Sequence, residues 1–571
     1  MIHRPLYNVR PIKDLKDMIE QSGKLYADKD AFLIKAKNDN CRHIKYSEFK
    51  SDIDALGTAL LDLGLKNGFI AVIGENRYEW CVTYLAAVCG TGVAVPLDKE
   101  LPQHEIENLL TRSNAGAVVF SGKLLKEIES IAANESSVKY FINMDADEDD
   151  ERFLSFRKLV DKGRELISKG NRSFIDFQVD SEGMNILLFT SGTTDLAKGV
   201  MLSHKNICSD MMAVCSSIHI DNNDSVLSIL PLHHTYECTA GFLAMIYNGC
   251  RISFCEGLKH IAKNLKETQP TILILVPLIL ENMYKKIWEQ ASKHKGNKTK
   301  LRVAMFASNL LYKLFKVDIR KKLFKAIHDN IGGRVRLIIS GAAAIDPKVS
   351  KGFRTFGIML AQGYGLTECA PIAAVNREKI FRDDSIGQPL PGMQIIIDNP
   401  DADGIGELLV KGDNVMLGYY QNQQATEKVL KDGWLHTGDL GKVLEDDFFI
   451  ITGRKKNVIV TKNGKNIFPE EVEAYLSKSP YILESLVYGK TIDGEDEVVV
   501  CAQIVPDFDA IREKFKQDIT AEEIHKLISQ EVKVVNRSMP LYKRVREFNI
   551  RENEFVKTTT KKIKRYLILK G

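Results

Sequence analysis

A loop rich in hydroxyl groups and glycine is the segment of this chain whose residue types are best suited to chemistry. Residues 190–199 read Thr-Ser-Gly-Thr-Thr-Asp-Leu-Ala-Lys-Gly and directly follow an apolar run at residues 186–189. Glycine lets the backbone approach an anion closely, the hydroxyls and amides donate hydrogen bonds, and Lys198 adds positive charge. This composition predicts a loop that binds the phosphates of a nucleotide.

The loop does not match the phosphate loop of the P-loop NTPases. Ala197 stands where that pattern has its second glycine, and no serine or threonine follows Lys198. A stretch of this composition between a strand and a helix is also often an ordinary surface loop. The rest of the chain has to decide between a nucleotide loop and a surface loop.

Six further motifs follow the loop in order along the chain. They are Leu-His-His-Thr-Tyr-Glu at 232–237, Ser-Gly-Ala-Ala-Ala at 340–344, Gln-Gly-Tyr-Gly-Leu-Thr-Glu at 362–368, Gly-Trp-Leu-His-Thr-Gly-Asp-Leu at 433–440, Gly-Arg-Lys-Lys-Asn at 453–457 and Lys-Thr-Thr-Thr-Lys-Lys-Ile at 557–563. Together with the loop, this ordered set resembles the signature motifs of the adenylate-forming (AMP-binding) superfamily, and within it bacterial long-chain fatty acid:CoA ligases.

Length and hydrophobic patterning predict an α/β protein of more than one domain. The chain has 571 residues, more than one hydrophobic core normally organises. Short β-branched runs alternate with amphipathic stretches through its first part, which is typical of layered, largely parallel sheets. By resemblance, residues 1–455 form a large N-terminal domain of two α/β layered subdomains, with a small β-barrel-like subdomain at about 385–450. Residues 456–571 would form a small α+β lid domain with its hinge at Lys456.

The reaction implied by the resemblance joins a carboxylate to the α-phosphate of ATP, so the site has to hold two anions together. The resemblance assigns the β- and γ-phosphates to Thr190, Ser191, Gly192, Thr193, Thr194 and Lys198. It assigns Mg2+, which suits one carboxylate plus phosphate oxygens, to Glu368 and Thr190. It makes Lys562 the cation that bridges carboxylate and α-phosphate. Thr190, Glu368 and Lys562 are therefore the predicted catalytic residues.

The same resemblance places the rest of the nucleotide and the other substrates. Tyr364 would stack on adenine, Asp439 would accept hydrogen bonds from both ribose hydroxyls, and Arg454 would make a second ribose contact. The remaining predicted nucleotide-binding residues are Gly341, Ala342, Ala343, Gly363, Gly365 and Thr367. The predicted acyl pocket consists of His234, Tyr236, Gly341 and Gly365, and the predicted coenzyme A channel and hinge are at Gly464 and Lys456.

Each of these residue types also has a plainer interpretation. A lone glutamate in a glycine-rich turn is usually a surface residue, and an aspartate in a Thr-Gly-Asp turn usually stabilises that turn. A histidine in an apolar setting usually packs. For Glu368 and Asp439 the flanking motifs favour the functional interpretation.

Three positions depart from the family's usual pattern. Asp195 stands where glycine is typical, Ala197 where proline is typical, and Lys561 where glycine precedes the catalytic lysine. A carboxylate at Asp195 would weaken phosphate binding unless it turns outward or meets Lys198 or Mg2+. Lys561 makes two lysines candidates for catalysis, and the Lys-Ile step to Ile563 favours Lys562.

A strongly basic stretch covers residues 285–336, where fifteen lysines and arginines face three acidic residues, a net charge of about +12. Apolar residues recur in it at helical spacing, namely Phe306, Leu310, Leu314, Phe315, Leu323, Phe324 and Ile327. One interpretation is a helical hairpin whose apolar stripe faces the core. The other is a surface that docks on anionic lipid, as suits a ligase whose substrate partitions into membranes.

Composition excludes several other classes of protein. The net charge of +4 gives no reason to expect a nucleic acid partner, and the ten cysteines are scattered without a CxxC pair. The first residues contain no apolar signal segment, and the longest apolar run is too short to cross a bilayer. These features favour a cytoplasmic protein, with peripheral contact on the inner membrane face if the basic stretch docks there.

The sequence is interpreted as a long-chain fatty acid:CoA ligase that uses ATP, Mg2+ and coenzyme A. The fatty acid is activated as an acyl-adenylate and then passed to coenzyme A, giving acyl-CoA, AMP and pyrophosphate. One alternative is transfer of the acyl group to an acyl carrier protein, whose phosphopantetheine thiol is chemically the same. A second is a non-catalytic binder of acyl groups or nucleotides, suggested by Asp195 and Ala197 alone.

Overall fold

The structure is a computed structural model that describes residues 4–35, 41–134, 137–190, 197–293, 297–315, 317–460, 465–491, 498–515, 519–557 and 563–568. Within these ranges the α-helices are α1 Leu15–Leu25, α2 Tyr46–Asp62, α3 Tyr78–Ala86, α4 Gln103–Ser113, α5 Leu125–Ala133, α6 Phe156–Ser168, α7 His204–Ser217, α8 Ala244–Tyr247, α9 Ile261–Thr268, α10 Pro277–Ser292, α11 Asn297–Phe315, α12 Arg320–Leu323, α13 Lys325–Asn330, α14 Pro347–Thr355, α15 Gln423–Val429, α16 Pro469–Leu476, α17 Phe508–Phe515 and α18 Ala521–Arg537.

The strands of the same ranges are β1 Asp30–Lys35, β2 Cys41–Lys45, β3 Gly68–Ile73, β4 Gly92–Leu97, β5 Ala115–Phe120, β6 Tyr140–Asn143, β7 Phe153–Ser155, β8 Ile186–Thr190, β9 Lys198–Leu202, β10 Ser225–Ser228, β11 Arg251–Phe254, β12 Ile272–Leu275, β13 Leu337–Ser340, β14 Met359–Gly365, β15 Ile372–Val375, β16 Gln388–Pro389, β17 Gln394–Asp398, β18 Gly406–Lys411, β19 Gly418–Tyr419, β20 Leu430–Lys431, β21 Trp434–Val443, β22 Phe449–Arg454, β23 Ile459–Val460, β24 Asn466–Ile467, β25 Ile482–Thr491, β26 Val498–Pro506 and β27 Glu547–Ile550.

The chain divides into two compact units. As far as they are described, the first contains residues 1–192, 196–395 and 410–435, and the second contains residues 396–409 and 436–571. A five-stranded sheet, with the order β17-β18-β21-β20 and β22 paired to β21, lies in the segment predicted to be β-rich.

Two large sheets organise the first unit. One has the order β16-β15-β14-β13-β12-β10-β11-β1-β2, and the other has the order β19-β9-β8-β4-β3-β5-β6-β7. The inner strands pair in parallel, whereas the pairs β1-β2, β14-β15, β15-β16, β8-β9 and β9-β19 are antiparallel. Every residue of β12 and β13 is buried, as expected for parallel strands covered on both faces. The predicted α/β layers are confirmed.

The second unit contains a three-stranded sheet in which β25 pairs antiparallel with β26 and β26 pairs parallel with β27. Apolar side chains from this sheet, from α16 and from α18 form one core; Val472, Val487, Ala502 and Ile528 are among its buried members. The predicted α+β character of this part of the chain is confirmed.

The loop predicted to bind phosphates joins two strands, not a strand and a helix. β9 begins at Lys198 and pairs antiparallel with β8 along its whole length, and α7 begins only at His204. Leu187, Val200 and Leu202 are buried, so the apolar alternation after the loop is used by a strand.

The basic stretch forms the predicted helical hairpin of α10 and α11, but its apolar stripe does not face a core. Phe306 is 71% exposed, Phe315 is 67% exposed and Leu314 is 62% exposed, whereas Phe324 is buried. Ser308 is the one buried residue of α11 among the side chains that the structure describes. The interpretation as a core-facing stripe is therefore wrong, because an apolar period does not reveal whether another element covers that face.

Among the described helices, none combines the length and the apolar character that crossing a membrane would require.

Candidate active site

The two ends of the predicted phosphate loop are held together at the base of a hairpin. Thr190 of β8 and Lys198 of β9 are paired residues, and Thr190 Oγ1 donates a hydrogen bond to the Lys198 carbonyl oxygen at 3.4 Å. The tip of the loop, with Ser191, Gly192, Thr193, Thr194 and Asp195, lies outside the described residues. The structure thus fixes where the loop starts and ends.

A residue that the motifs did not indicate anchors this loop. Arg112 of α4 donates from Nη2 to the Ala197 carbonyl oxygen at 2.8 Å, and its guanidinium lies 5.3 Å from the centroid of the Phe189 ring. Ala197 and Phe189 both pack against the core beneath this sheet. Alanine at the position typical of proline is therefore compatible with a held loop, because packing and Arg112 restrain it.

Glu368 follows β14 in a single turn of 3-10 helix, Thr367–Cys369. Tyr419 donates a hydrogen bond from its hydroxyl to Glu368 Oε1 at 2.9 Å, and Lys198 Nζ lies 5.0 Å from the centroid of the same ring. Burial, together with the charge of Glu368, raises the pKa of Tyr419, so its hydroxyl keeps its proton and stays a donor. The structure thereby brings together a predicted phosphate ligand and the predicted metal ligand.

Close backbone approaches explain two of the predicted glycines. A Cβ on Gly365 would lie 1.7 Å from the Pro371 carbonyl oxygen, and a Cβ on Gly341 would lie 2.8 Å from Cζ of Tyr236. The Tyr236 hydroxyl donates to the carbonyl oxygen of Ile339 at 3.1 Å. Tyr236 and Gly341, both predicted for the acyl pocket, are therefore in contact, and glycine is required so that the ring fits.

The remaining residues predicted around the base lie on or just after β13 and β14. Gly363 and Tyr364 pair with Val375 and Ala374 of β15, and the register shifts between Tyr364 and Gly365. Ala342 and Ala343 lie in the turn after β13, and the φ of Ala342, 70°, is in the left-handed region. The predicted base-lining residues Ala342 and Ala343 thus lie in a turn at the end of a buried strand.

The histidine pair of the second motif is partly buried. The rings of His233 and His234 lie with centroids 4.3 Å apart, and His233 Nε2 is 3.6 Å from Asp98 Oδ2. Burial lowers the pKa of His233 to about 3, so it is neutral at physiological pH and forms no ion pair with Asp98. His233 also lines a small, largely apolar cavity, with Tyr84, Leu188, Ile207, Leu232, Cys238 and Thr239 among the other lining residues.

A buried carboxyl network that the motifs did not reveal supports this region. Glu237, which begins a π-helical turn, accepts a hydrogen bond from Ser228 Oγ at 2.6 Å. Asn76 donates to the same Ser228 hydroxyl and to the carbonyl oxygen of Leu230, and it accepts from the amide of Leu232. Burial raises the pKa of Glu237 to about 8. The network thus holds a protonated acid beneath the turn that carries the histidines.

We expect Glu237→Gln to change how stability depends on pH. The pKa of Glu237 in the folded protein lies above the ordinary value of 4.5, so stability is lost as pH rises from about 4.5 to about 8. Glutamine has no proton to lose, so the variant lacks this loss of stability, which amounts to roughly 5 kcal/mol at most. Melting temperatures measured from pH 5 to pH 8.5 should therefore fall further for the wild type than for the variant. Parallel curves would contradict the raised pKa.

In the second unit, Asp439 and Arg454 are paired residues of β21 and β22. Arg454 Nε lies 2.6 Å from Asp439 Oδ1, and Asp439 is only 4% exposed. The Asp439 amide donates to Thr437 Oγ1 at 3.0 Å, and Thr437 in turn donates to the Leu408 carbonyl oxygen at 2.8 Å. Asp439 is therefore a fixed strand residue whose orientation Arg454 and Thr437 determine.

The predicted hinge residue Lys456 lies in a short 3-10 turn, Lys455–Asn457, directly after β22. Burial lowers its pKa, and the nearby charge of Arg454 contributes to the shift. Asn457 donates to Glu470 Oε1 at 2.6 Å. The predicted coenzyme A channel residue Gly464 and the predicted catalytic residue Lys562 lie outside the described residues.

Known proteins resemble this chain over most of its length. The family model for AMP-binding enzymes matches residues 19–420. Long-chain-fatty-acid–CoA ligase 5 of Rattus norvegicus is 30% identical over 492 residues, which cover 80% of this chain and 70% of the ligase. Long-chain-fatty-acid–CoA ligase 1 of Homo sapiens is 28% identical over 518 residues, covering 82% and 70%.

The fold has a solved counterpart in the anthranilate CoA ligase AuaEII, crystallised with anthranoyl-AMP. The two structures superpose with a TM-score of 0.76 at 21% identity, over 99% of this chain and 98% of that one. This similarity extends the agreement in fold through the C-terminal region, beyond the residues that the family model matches. The chain belongs to the AMP-binding enzyme family.

Proposed function

We propose that the protein activates a long-chain fatty acid as its adenylate and transfers the acyl group to coenzyme A. The observation that carries this proposal is the arrangement around Tyr419, whose hydroxyl holds Glu368 and whose ring faces Lys198. A carboxylate beside the lysine that ends a hydroxyl-rich loop is suited to a metal-bound polyphosphate. The long-chain substrate is proposed from the similarity to ligases that carry it in their names.

Glu368 is suited to Mg2+ because it offers a free oxygen. Oε1 is occupied by Tyr419, and Oε2 has no hydrogen-bond partner among the described residues. Mg2+ usually takes one or two carboxylates and completes its shell with phosphate oxygens and water. The ion would neutralise charge on the phosphates during attack at the α-phosphate. Thr190, at the start of the loop, would supply the second protein oxygen.

The chain's own residues would hold the reactants as follows. Lys198 and the loop amides bind the β- and γ-phosphates, and Tyr364 with the turn after Ser340 receives the adenine. Asp439, kept in place by Arg454, accepts from the ribose hydroxyls. The carboxylate oxygen of the fatty acid attacks the α-phosphorus, and pyrophosphate leaves. The thiolate of coenzyme A then attacks the acyl carbon, and AMP leaves with the original carboxylate oxygen.

We further propose that residues 456–571 act as a lid that rotates about Lys456 between the two half-reactions. One lid position would present Lys562 for adenylation, and the other would admit the thiol past Gly464. Lys456 lies in the turn directly after strand β22, so the change of direction would fall at the end of a regular element.

The identity of the thiol that accepts the acyl group can be tested by analysing the products formed from MgATP and fatty acids of increasing chain length. With coenzyme A present, we expect pyrophosphate, AMP and acyl-CoA in equal amounts, with rates rising toward long chains. Pyrophosphate formed without acyl-CoA would point to a carrier-protein acceptor. Absence of both products would contradict adenylation and leave a non-catalytic binder.

Replacing Asp439 with asparagine should weaken ATP binding. The substitution keeps the size of the side chain but replaces charged hydrogen bonds to the ribose with neutral ones and removes the carboxylate partner of Arg454. We expect the KM for ATP to rise about 10- to 100-fold with a smaller change in kcat. Asp403→Asn, in an exposed loop, is the matched control. An unchanged KM in Asp439→Asn would refute the ribose role.

We also propose that the hairpin of α10 and α11, with α12, docks on an anionic lipid surface. Its exposed apolar side chains include Val303, Phe306, Leu310, Leu314, Phe315, Val317 and Leu323. Residues 285–336, which include most of this surface, carry a net charge of about +12, which complements anionic headgroups. α10 starts directly after β12, whose last residue Leu275 accepts a hydrogen bond from the amide of Gly341. The hairpin therefore begins next to a strand end that contacts Gly341, a residue predicted for the acyl pocket.

Reversing three exposed charges, Lys298→Glu, Lys300→Glu and Lys322→Glu, tests the docking surface. At about 1 kcal/mol per basic side chain, binding to vesicles of mixed neutral and anionic lipid should weaken roughly 100-fold. The control reverses Lys66, Lys139 and Lys259, which are exposed elsewhere. Equal binding by both triple variants would contradict the proposal. So would loss of a homodimer in Phe306→Ser/Leu314→Ser, which would identify the surface as a contact between two copies.

A further inference from the structure

The backbone of Tyr419 is held by strand pairing and by a hydrogen bond, and the residue is buried. Gly418 and Tyr419 form β19, which pairs antiparallel with β9 opposite Met201 and Val200. The Tyr419 amide donates to Thr426 Oγ1 at 2.9 Å, at the start of the contact between β19 and α15. The residue is 7% exposed. Its ring position therefore depends on the strand that begins at Lys198.

The segment that carries Tyr419 holds Glu368 at two points. The Met416 amide donates to the Glu368 carbonyl oxygen at 2.9 Å, and the Tyr419 hydroxyl donates to Oε1 at 2.9 Å. One contact restrains the backbone of Glu368 and the other restrains the carboxylate. With Oε1 engaged, Oε2 is the oxygen left for another ligand within the described part of the chain.

Tyr419 contacts a cation through its ring and an anion through its hydroxyl. Lys198 Nζ lies 5.0 Å from the ring centroid, a distance typical of a cation–π contact. In the described residues no carboxylate lies within ion-pair distance of Lys198. Loss of the ring would remove this contact of Lys198 and allow its ammonium to pair with the carboxylate of Glu368 instead. Such a pair would neutralise the two charges that a metal–polyphosphate complex needs.

We propose that Tyr419 is a positioning residue that keeps Glu368 and Lys198 apart and aims each at the magnesium–triphosphate. The proposal rests on the function proposed above and adds to it a residue that none of the seven motifs contains. Its hydroxyl orients the carboxylate, and its ring supplies an uncharged surface for the lysine. The hydroxyl thus acts on Glu368 and the ring acts on Lys198. Substitution by phenylalanine removes the hydroxyl alone, and substitution by leucine removes the hydroxyl and the ring.

Equilibrium binding, measured by calorimetry without fatty acid or coenzyme A, separates the two parts. The probes are MgATP, ATP with EDTA, and AMP. In Tyr419→Phe, we expect Kd for MgATP to rise about tenfold, with Kd for metal-free ATP and AMP within twofold of the wild type. In Tyr419→Leu, Kd for metal-free ATP should also rise about tenfold, because Lys198 becomes free to pair with Glu368. AMP, which lacks the outer phosphates, should bind as before.

Two controls distinguish positioning from general damage. Tyr420→Phe removes a hydroxyl from the neighbouring residue, whose ring packs against Phe69, and should leave all three Kd values unchanged. In the Glu368→Gln background, Tyr419→Phe should have much less effect on MgATP, because the hydroxyl acts through the carboxylate. Equal weakening of all three nucleotides, or the full tenfold effect in the Glu368→Gln background, would overturn the proposal.

Failure of this inference differs from failure of the proposed function. A wild type that forms acyl-CoA while Tyr419→Phe keeps the wild-type ratio of the MgATP and metal-free Kd values would overturn only the role of Tyr419. A wild type that forms no adenylate would refute the function whatever Tyr419 does. A wild type that binds both forms of ATP equally would overturn the metal role of Glu368, and the role of Tyr419 with it.

Discussion

Replacing Glu368 with glutamine should slow adenylate formation by roughly a thousandfold. The substitution preserves the size of the side chain and an oxygen that can accept from Tyr419, so the local packing should survive. It removes the negative charge that suits the carboxylate to Mg2+, and an amide oxygen is a weaker ligand. Charge stabilisation at a transferring phosphorus is worth several kcal/mol, which corresponds to a factor of this size.

The measurement is the rate of pyrophosphate release in a single turnover with palmitate, at saturating Mg2+. Glu427→Gln provides a matched control, because Glu427 is an exposed carboxylate on α15, close in sequence to Tyr419. We expect it to stay within twofold of the wild type. A rate in Glu368→Gln above one tenth of the wild-type value would show that the carboxylate is not a metal ligand.

Replacing Lys562 with alanine should abolish adenylation while leaving thioester formation nearly intact. A cation between the fatty acid carboxylate and the α-phosphate offsets the repulsion of two anions as they meet, and its loss should cost roughly a thousandfold. Transfer from preformed acyl-AMP to coenzyme A does not bring these anions together. That half-reaction should therefore keep at least a third of its rate.

Lys561→Ala is the matched control for this prediction. The two lysines directly precede Ile563 in the sequence, and Ile563 pairs with Lys557 in an isolated β-bridge and packs against Leu486, Val505 and Phe555. The Lys-Ile step to Ile563 assigns catalysis to Lys562, so Lys561→Ala should leave both half-reactions close to their wild-type rates. The opposite pattern, with adenylation lost in Lys561→Ala and kept in Lys562→Ala, would assign catalysis to Lys561.

The layered sheets could be predicted from the sequence because their strands are buried on both faces. The runs that became β3, β5 and β12 are almost entirely apolar and each contains β-branched residues, a pattern typical of strands in a parallel sheet. The site motifs could be recognised because each chemical role falls on a contiguous segment. Asp439 and Arg454 also belong to separate motifs, and their pairing follows from the hairpin of β21 and β22.

What the sequence could not reveal depends on contacts between distant segments. Tyr419 is 51 positions from Glu368, and Glu237 meets Ser228 and, through it, Asn76. The residues next to Tyr419 and Glu237 in the sequence show no pattern that would reveal these long-range hydrogen bonds. The exposure of the apolar side chains of α11 could not be predicted for a related reason. Helical spacing of apolar residues indicates an apolar face, but it does not show whether another element of the fold covers that face.

The central claim, activation of a carboxylate through its adenylate, is tested most directly by following the carboxylate oxygen. The enzyme would be incubated with MgATP, coenzyme A and palmitate labelled with oxygen-18 in its carboxylate, and the products would be analysed by mass spectrometry. Attack of the carboxylate on the α-phosphorus predicts one labelled oxygen in the phosphate of AMP and none in pyrophosphate. Label in inorganic phosphate together with ADP, or acyl-CoA formed with unlabelled AMP, would contradict the account.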